Sequence, residues 1–141
     1  VIQDGRLTTW FLSLSSARQL GLAPTGHASR GTTSPPGPSP SNMWLEPGET
    51  HVDQLFADVE EGFYVTEMMG MGVNQVTGDY SRGAAGFWIE NGQIAYPVAE
   101  VTVAGNLKDM FRNITPASDL EFRYGIDVPH LRVDGMTLAG E

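Results

Sequence analysis

The sequence contains no cysteine. This absence excludes disulfide bonds, catalysis by a thiolate and any zinc site with sulfur ligands. It fits a reducing compartment, and we expect a cytoplasmic protein. Long apolar runs are also missing, since none approaches the roughly 18 residues that a membrane-spanning helix needs. We therefore expect a soluble protein without a membrane partner.

Lysine is almost absent, and basic residues are few. The chain has 17 acidic and 8 basic residues, which gives a net charge of −9. The basic residues are spread singly along the chain, without a cluster that could follow a phosphate backbone. They are Arg6, Arg18, Arg30, Arg82, Lys108, Arg112, Arg123 and Arg132. Because the long-range field repels polyanions, we expect no nucleic-acid partner.

The length of 141 residues is typical of one domain that can bury a core. The chain lacks an initiator methionine and starts with the apolar pair Val1-Ile2, without a signal-peptide pattern. We therefore interpret residues 1–141 as a single domain cut from a longer protein.

The first third of the chain is predicted to contain a strand, a short helix and a long loop. Residues 7–14 (LTTWFLSL) are rich in aromatic and β-branched residues, and a short helix then ends at Gly21. Residues 22–41 are rich in proline and serine, so we expect a flexible surface loop with no ladder in the run 32–40. Such a loop is either functional or a tolerated surface excursion.

Two short amphipathic helices follow from apolar residues spaced i, i+3, i+4 and i+7. The first has Thr50 as its N-cap, runs for about ten residues and stops at Gly62. The second is capped by Asn106. The apolar positions are Val52, Leu55, Phe56 and Val59 in the first, and Leu107, Met110, Phe111 and Ile114 in the second.

Strands account for most of the remaining chain. Asn91-Gly92 separates two alternating runs and predicts a hairpin with a type I′ turn, while Pro97 marks an edge or the end of pairing. Gly105 is expected to break a strand and Gly135 to bend one. The other predicted strands are 42–46, 63–68, 100–103, 120–124 and 131–138. The class is α+β, dominated by antiparallel sheet, with two or three short helices.

Residues 72–114 read GVNQVTGDYSRGAAGFWIENGQIAYPVAEVTVAGNLKDMFRNI. This stretch resembles the C-terminal signature of the TldD/PmbA family, in its PmbA (TldE)-like branch. The resemblance extends to 42–48 (NMWLEPG), 62–70 (GFYVTEMMG) and 129–140, which end the chain with PHLRVDGMTLAG. It covers most of the chain.

The resemblance implies a bacterial, cytosolic metalloprotease system, also named modulator of DNA gyrase, that acts on unfolded polypeptides. In this system a TldD subunit pairs with a PmbA/TldE subunit. The metal of the TldD half is held by a His-Glu-x-x-x-His helix and a late cysteine. The present chain has no His-Glu pair and no cysteine, and residues 118–125 read SDLEFRYG. We therefore expect no catalytic residue, metal or cofactor here, and zinc only in a TldD-like partner.

Other candidates for chemistry are weak. His27, His51 and His130 lie far apart, without carboxylates at ligand spacing, so surface or structural roles are favoured. Asp79 and Glu90 could form a carboxylate pair, but the glycine-rich surroundings favour Asp79 as a turn residue.

The glycine-rich run 70–86 lacks the Gly-Lys-Ser/Thr ending of a phosphate-binding loop. Its small residues would instead let another extended chain lie close to an exposed strand, or they serve packing. The predicted peptide-binding or interface residues are Gly78, Asp79, Tyr80, Ser81, Arg82, Gly83, Ala84, Ala85 and Gly86. The predicted structural turns are Asn91, Gly92, Gly105 and Asn106.

The main hypothesis is a non-catalytic C-terminal domain that shapes a peptide chamber and docks a TldD-like subunit or a second copy of itself. One alternative is a domain of a self-sufficient metallopeptidase whose ligands lie upstream. Another is a purely structural, β-rich interaction module.

Overall fold

The computed structural model describes residues 1–140, which divide into two compact units. One unit comprises Val1–Trp44 and Arg123–Ile126, and the other comprises Leu45–Phe122 and residues 127–140. Within residues 1–140, no helix has the length and apolar character needed to span a membrane.

The first 44 residues contain one helix and several two-residue strands. These elements are β1 (Ile2–Gln3), β2 (Arg6–Leu7), α1 (Leu14–Leu20), β3 (Ala28–Ser29), β4 (Gly37–Pro38) and β5 (Met43–Trp44). Helix α1 ends at Gly21, whose φ of 67° gives the left-handed C-cap, as predicted. The strand predicted over 7–14 is wrong. Leu12 instead donates its N–H to Thr25 Oγ1 (2.9 Å), and Ser13 caps α1 by accepting from the Ser16 N–H.

The proline- and serine-rich segment contains a small hairpin. Strand β3 pairs with β4 in antiparallel register, Ala28 opposite Pro38 and Ser29 opposite Gly37. The prediction that the run 32–40 forms no ladder is therefore wrong at two residues, where proline sits at the end of a minimal pairing. The flexibility of residues 22–41 stays a prediction.

The larger unit is built around a four-stranded antiparallel sheet. The remaining elements are α2 (Val52–Leu55), β6 (Glu61–Met69), β7 (Asp79–Glu90), β8 (Gln93–Asn106), α3 (Leu107–Met110), β9 (Ile114–Pro116), β10 (Ile126–Asp127), β11 (Leu131–Val133) and β12 (Thr137–Ala139). The strand order in the sheet is β12-β8-β7-β6, and β9 pairs separately with β11. The α+β class, with mostly antiparallel sheet and three short helices in residues 1–140, is confirmed.

The hairpin of β7 and β8 turns at Asn91-Gly92, whose φ angles of 48° and 74° are those a type I′ turn requires. Of the two alternatives predicted for Pro97, the end of pairing is wrong, but the edge is confirmed, because within residues 1–140 β12 pairs only with residues 102–104 of β8. Pro97 lies opposite Phe87 beside two irregularities of register, which accommodate a residue without an N–H. Gly105 is likewise not a break, because β8 continues to Asn106.

Several boundaries differ from prediction. Helix α2 has four residues, and His51 caps it instead of Thr50. Gly62 belongs to β6, and residues 120–124 contain no strand. The single strand predicted over 131–138 is two strands separated by a bend, where Gly135 has a φ of 78°.

The core of the sheet lies on one of its faces. Ala84, Val101 and Val103 are buried there. The apolar side chains packed against them are those of Phe63, Val65, Tyr80, Val98, Met136 and Leu138. Strands β7 and β8 thus supply the buried centre on which neighbouring elements pack.

Candidate functional site

The predicted peptide-binding segment, Gly78 to Gly86, lies almost entirely in β7, in the middle of the sheet. From Gly83 onward, β7 pairs with β6 on one side and with β8 on the other. Before Gly83, the outer side is occupied by a preceding loop, because Ser81 donates its N–H to the Gly72 carbonyl (2.7 Å). Both sides of this segment are therefore occupied. The exposed-strand hypothesis requires a free side at which an incoming chain can pair, and this part of the hypothesis is wrong. A peptide-binding or interface role through its side chains stays a prediction.

Small residues in this segment allow close approach of strands. Ala84 is completely buried. A Cβ on Gly86 would collide with the carbonyl oxygen of Tyr64 on the neighbouring strand. The glycine at this position is therefore required by packing within the sheet.

Asp79 is a structural residue at the start of β7. Its carboxylate accepts from the Thr77 hydroxyl (2.7 Å) and from Asn106 Nδ2 (3.2 Å), and these two hydrogen bonds, in that order, lower its pKa. Asn106 Oδ1 in turn accepts from the Lys108 N–H (3.1 Å), which confirms its predicted role as the cap of α3. Glu90 lies at the other end of β7, roughly 36 Å away by strand rise, so the two carboxylates form no pair.

Strand β6 is the edge of the sheet, with β7 as its only strand neighbour in residues 1–140. Its outer side therefore presents backbone groups to which another extended chain can bind. Apolar side chains are exposed at the end of this strand and in the loop after it: Met68, Met69, Met71, Val73 and Val76. A run of exposed apolar residues of this kind marks an interaction surface.

A cavity of about 530 Å³ lies between α2, β6 and residues 130–138. Most of its lining is apolar, including Phe56, Phe63 and Leu138. Polar side chains of Tyr64, His130 and Arg132 also reach it. Its volume and mixed lining are those of a binding pocket.

Tyr64, His130 and Asp119 form a hydrogen-bonded chain at this cavity. His130 Nδ1 lies 2.5 Å from Asp119 Oδ2, and His130 Nε2 lies 3.0 Å from the Tyr64 hydroxyl. The His130 N–H also donates to Asp119 Oδ1 (3.0 Å). In the tautomer whose Nδ1–H donates to the carboxylate, Nε2 accepts a hydrogen bond from the Tyr64 hydroxyl. This chain fixes the segment before β11 against β6.

The hydrogen bonds of Asp119 make the stability of the fold dependent on pH. Burial raises the pKa of Asp119, but hydrogen bonds from the His130 ring and backbone outweigh it, so the pKa lies below its ordinary value. A carboxyl with a lowered folded pKa stabilises the fold above its unfolded pKa, and this contribution is lost as pH falls through the folded pKa. Replacing Asp119 by asparagine should therefore destabilise the chain near neutral pH, and by progressively less below about pH 4.

Denaturant unfolding of both proteins between pH 3 and 7 measures this difference. Asp109→Asn is the control, because Asp109 is exposed and its ion pair is a local one with Arg112 (3.5 Å), three residues away. A difference between wild type and Asp119→Asn that stays constant across the pH range would refute the assignment.

Arg132 joins three parts of the larger unit. Its Nη1 donates to the Leu55 carbonyl (2.9 Å) and pairs with Asp58 (2.5 Å), and its Nε donates to Asp134 (2.9 Å). Asp134 and then Asp58 raise the pKa of Arg132, and the same pairing lowers the pKa of Asp58. Asp58 is exposed but paired with Arg132.

Each of the three histidines contacts other side chains or backbone groups of the chain. His27 packs edge-on against Phe11, and His51 Nδ1 accepts from the Asp53 N–H (3.4 Å). Within residues 1–140, no three His, Cys, Asp or Glu side chains are placed to hold a metal ion. The donor set of these described residues therefore does not fit the zinc site that the family resemblance implies for the TldD half.

Sequence reasoning missed Tyr64, Asp119 and Arg132. Tyr64 and His130 are 66 residues apart, and Arg132 is 77 residues from the carbonyl it binds. No spacing motif marks contacts of such separation, which depend on the topology of the sheet.

Residues 1–140 match the family described as PmbA/TldA metallopeptidase C-terminal domain. The chain belongs to the PmbA/TldD family. The curated protein Metalloprotease PmbA of Escherichia coli O157:H7 is 47% identical over 143 residues, which cover 100% of this chain and 30% of that protein. The chain thus spans about 30% of the length of this relative.

Solved structures agree with this membership. A crystal structure of a candidate modulator of a DNA gyrase from Thermotoga maritima MSB8 has a TM-score of 0.81 and 33% identity, covering 98% of this chain and 32% of that one. The structure of TldE from Thermococcus kodakarensis has a TM-score of 0.85 at 19% identity, covering 99% of this chain and 33% of that one. The second likeness concerns the fold alone.

Proposed function

We propose that this PmbA/TldD-family domain is a non-catalytic part of a cytoplasmic metalloprotease system. It shapes the chamber that receives unfolded polypeptides and docks a TldD-like subunit, with a second copy of itself as the alternative partner. Zinc belongs to that partner, and neither nucleic acid nor a membrane takes part.

The observation that carries this proposal is the outer side of β6. A nine-residue edge strand that ends at exposed Met69 and is followed by exposed Met71 offers both main-chain pairing groups and apolar contact area. Recognition through the main chain suits substrates that share no side-chain pattern. The exposed methionines suit an interface, since their flexible thioethers adapt to different surfaces.

The local engagement of the histidines supports the non-catalytic part of the proposal. A zinc peptidase needs three protein ligands and an open position for water. His130 is already committed to Asp119 and Tyr64, and His51 caps a helix. These contacts, together with the family resemblance, support a catalytic centre in another subunit.

Zinc content and cleavage of an unfolded peptide test the proposal, measured for this chain, for a TldD-like protein and for their mixture. We expect this chain alone to be metal-free and inactive, and the mixture to cleave at least about tenfold faster than either component. A TldD-like variant without the glutamate of its His-Glu-x-x-x-His motif is the control and should abolish cleavage. Stoichiometric zinc and cleavage by this chain alone would refute the proposal.

A further inference from the structure

The sheet of the larger unit has two long stretches of strand without a neighbour on their outer side. One is the whole of β6, from Glu61 to Met69. The other is the first part of β8, because β12 pairs only with residues 102–104 and no strand described in residues 1–140 lies beside residues 93–100 on that side. Both stretches present backbone N–H and C=O groups to which another extended chain can bind.

The open stretch of β8 is obstructed at two residues. Pro97 has no N–H to donate to an incoming strand. Glu100 has a φ of 60°, a left-handed conformation that interrupts the regular alternation of the strand. Proline and a bulge are two of the devices by which proteins protect sheet edges from unwanted pairing. Pairing with an incoming chain is therefore disfavoured at this edge.

Strand β6 has neither obstruction. It contains no proline, and none of its residues has a positive φ. The second half of the strand, from Thr66 onward, is exposed. Met68 lies opposite the buried Ala84 and so on the core face, whereas Glu67 lies opposite Ala85 and so on the other face. The exposed half of this edge thus offers a carboxylate on one face and an apolar thioether on the other.

We propose that β6 binds an extended polypeptide segment in which a lysine or arginine lies between two apolar residues. This inference rests on the proposed function, and it names the edge that is used and the side chains that this edge prefers. Residues directly opposite each other on paired strands have Cβ atoms about 5 Å apart, so a basic residue opposite Glu67 forms an ion pair across the ladder. The residues before and after it then face the core side, where Met68 is 41% exposed.

The charge of the chain favours a basic segment over a second copy of the chain as the occupant. Strand β6 carries Glu61 and Glu67 and no basic residue, and the chain has a net charge of −9. Pairing of two β6 strands brings the carboxylates of both copies into one short ladder, where like charges destabilise the pair. A basic segment gains from the same field, which also speeds its encounter with the domain.

Peptide binding by the 141-residue chain tests this edge. The fluorescently labelled probes are Ac-Ser-Val-Lys-Val-Ser amide, the same peptide with glutamine or glutamate in place of lysine, and the lysine peptide with its three central residues N-methylated. Anisotropy is measured at about 50 and 500 mM salt. We expect the lysine peptide to bind at least about fivefold more tightly than the glutamate peptide at low salt, with the glutamine peptide between them. N-methylation should remove most of the binding, because it removes the N–H groups that pair with the edge.

Two substitutions locate the binding. In Glu67→Lys the preference should reverse, so that the glutamate peptide binds at least about threefold more tightly than the lysine peptide. Glu67 is exposed, so this change leaves the packing of the sheet intact. Glu46→Lys is the matched control, because it changes the net charge by the same amount at an exposed position outside the sheet. It should keep the wild-type order of affinities.

Equal affinity for the lysine, glutamine and glutamate peptides, or binding of none, overturns the proposal. So does an N-methylated peptide that binds like its parent, or a preference for lysine that survives in Glu67→Lys. In each case the mixing experiment with a TldD-like protein decides the proposed function separately.

Sedimentation velocity at the same two salt concentrations tests the second copy as the occupant. We expect a monomer at low salt, because the two β6 edges repel each other there. A dimer at low salt that excludes the lysine peptide would identify a second copy as the occupant and overturn the basic segment.

Discussion

Replacing Gly86 by alanine is expected to lower the free energy of unfolding by about 3 kcal/mol. The added Cβ would collide with the Tyr64 carbonyl oxygen and lie 3.1 Å from the Thr66 nitrogen. Both obstacles are backbone atoms of β6, which cannot rotate away as a side chain can. The strand must therefore move away from β7, next to the register shift between Val65 and Glu67. Urea unfolding followed by circular dichroism measures the loss.

Gly83→Ala is the matched control in the same strand. A Cβ there would meet Met69 Cβ at 3.6 Å, which is ordinary van der Waals contact. We expect this variant to lie within about 1 kcal/mol of the wild type, because glycine is also a weak strand former. Equal losses in the two variants would mean that the collision with β6 is not the cause.

Replacing Arg132 by methionine is expected to lower the free energy of unfolding by about 2 kcal/mol. The change leaves the carbonyl of the buried Leu55 without its donor, and it separates α2 from the segment that contains β11. The cost comes mainly from the unsatisfied carbonyl, since the carboxylates of Asp58 and Asp134 are exposed and return to water. Methionine preserves the length of the apolar stem.

Arg112→Met provides the comparison for Arg132. Arg112 pairs with Asp109 three residues earlier, and both side chains are largely exposed, at 77% and 70%. Such pairs contribute little, so we expect a change within about 0.5 kcal/mol. The assignment of Arg132 as a link fails if both substitutions cost the same, or if Arg132→Met leaves the urea midpoint unchanged.

Local signals in the sequence predicted the parts of the fold that depend on nearby residues. The Asn91-Gly92 turn, the Asn106 cap and the end of α1 at Gly21 each follow from one residue's backbone preference or capping chemistry. Their physical cause lies within a few residues, so a linear reading reaches it. The number and order of the predicted strands and helices gave the α+β class.

The errors arose where tertiary context overrides local preference. Pro97 and Gly105 look like breaks in isolation, but pairing with β7 carries β8 through both. The aromatic run over 7–14 suggests a strand, yet capping and a side-chain acceptor from Thr25 hold it in another conformation.

The candidate site was predictable only in part. The segment 78–86 stood out by its glycines, but its central place in the sheet depends on β6, which pairs with it from the other side. The Tyr64, His130 and Asp119 chain depends on which distant segments the fold brings together. The order of residues in the sequence does not show which segments contact one another until the pairing register of the strands is known.

The open side of β6 also bears on how the chain behaves in isolation. Soluble proteins protect such edges with lysine, proline or a bulge that turns the strand away, to prevent edge-to-edge aggregation. Residues 61–69 read EGFYVTEMM and contain neither lysine nor proline. Two acidic side chains and one register irregularity are the protection that remains within the strand. We therefore expect the colloidal stability of this domain to depend on its net negative charge, and salt that screens this charge to promote association at these weakly protected edges.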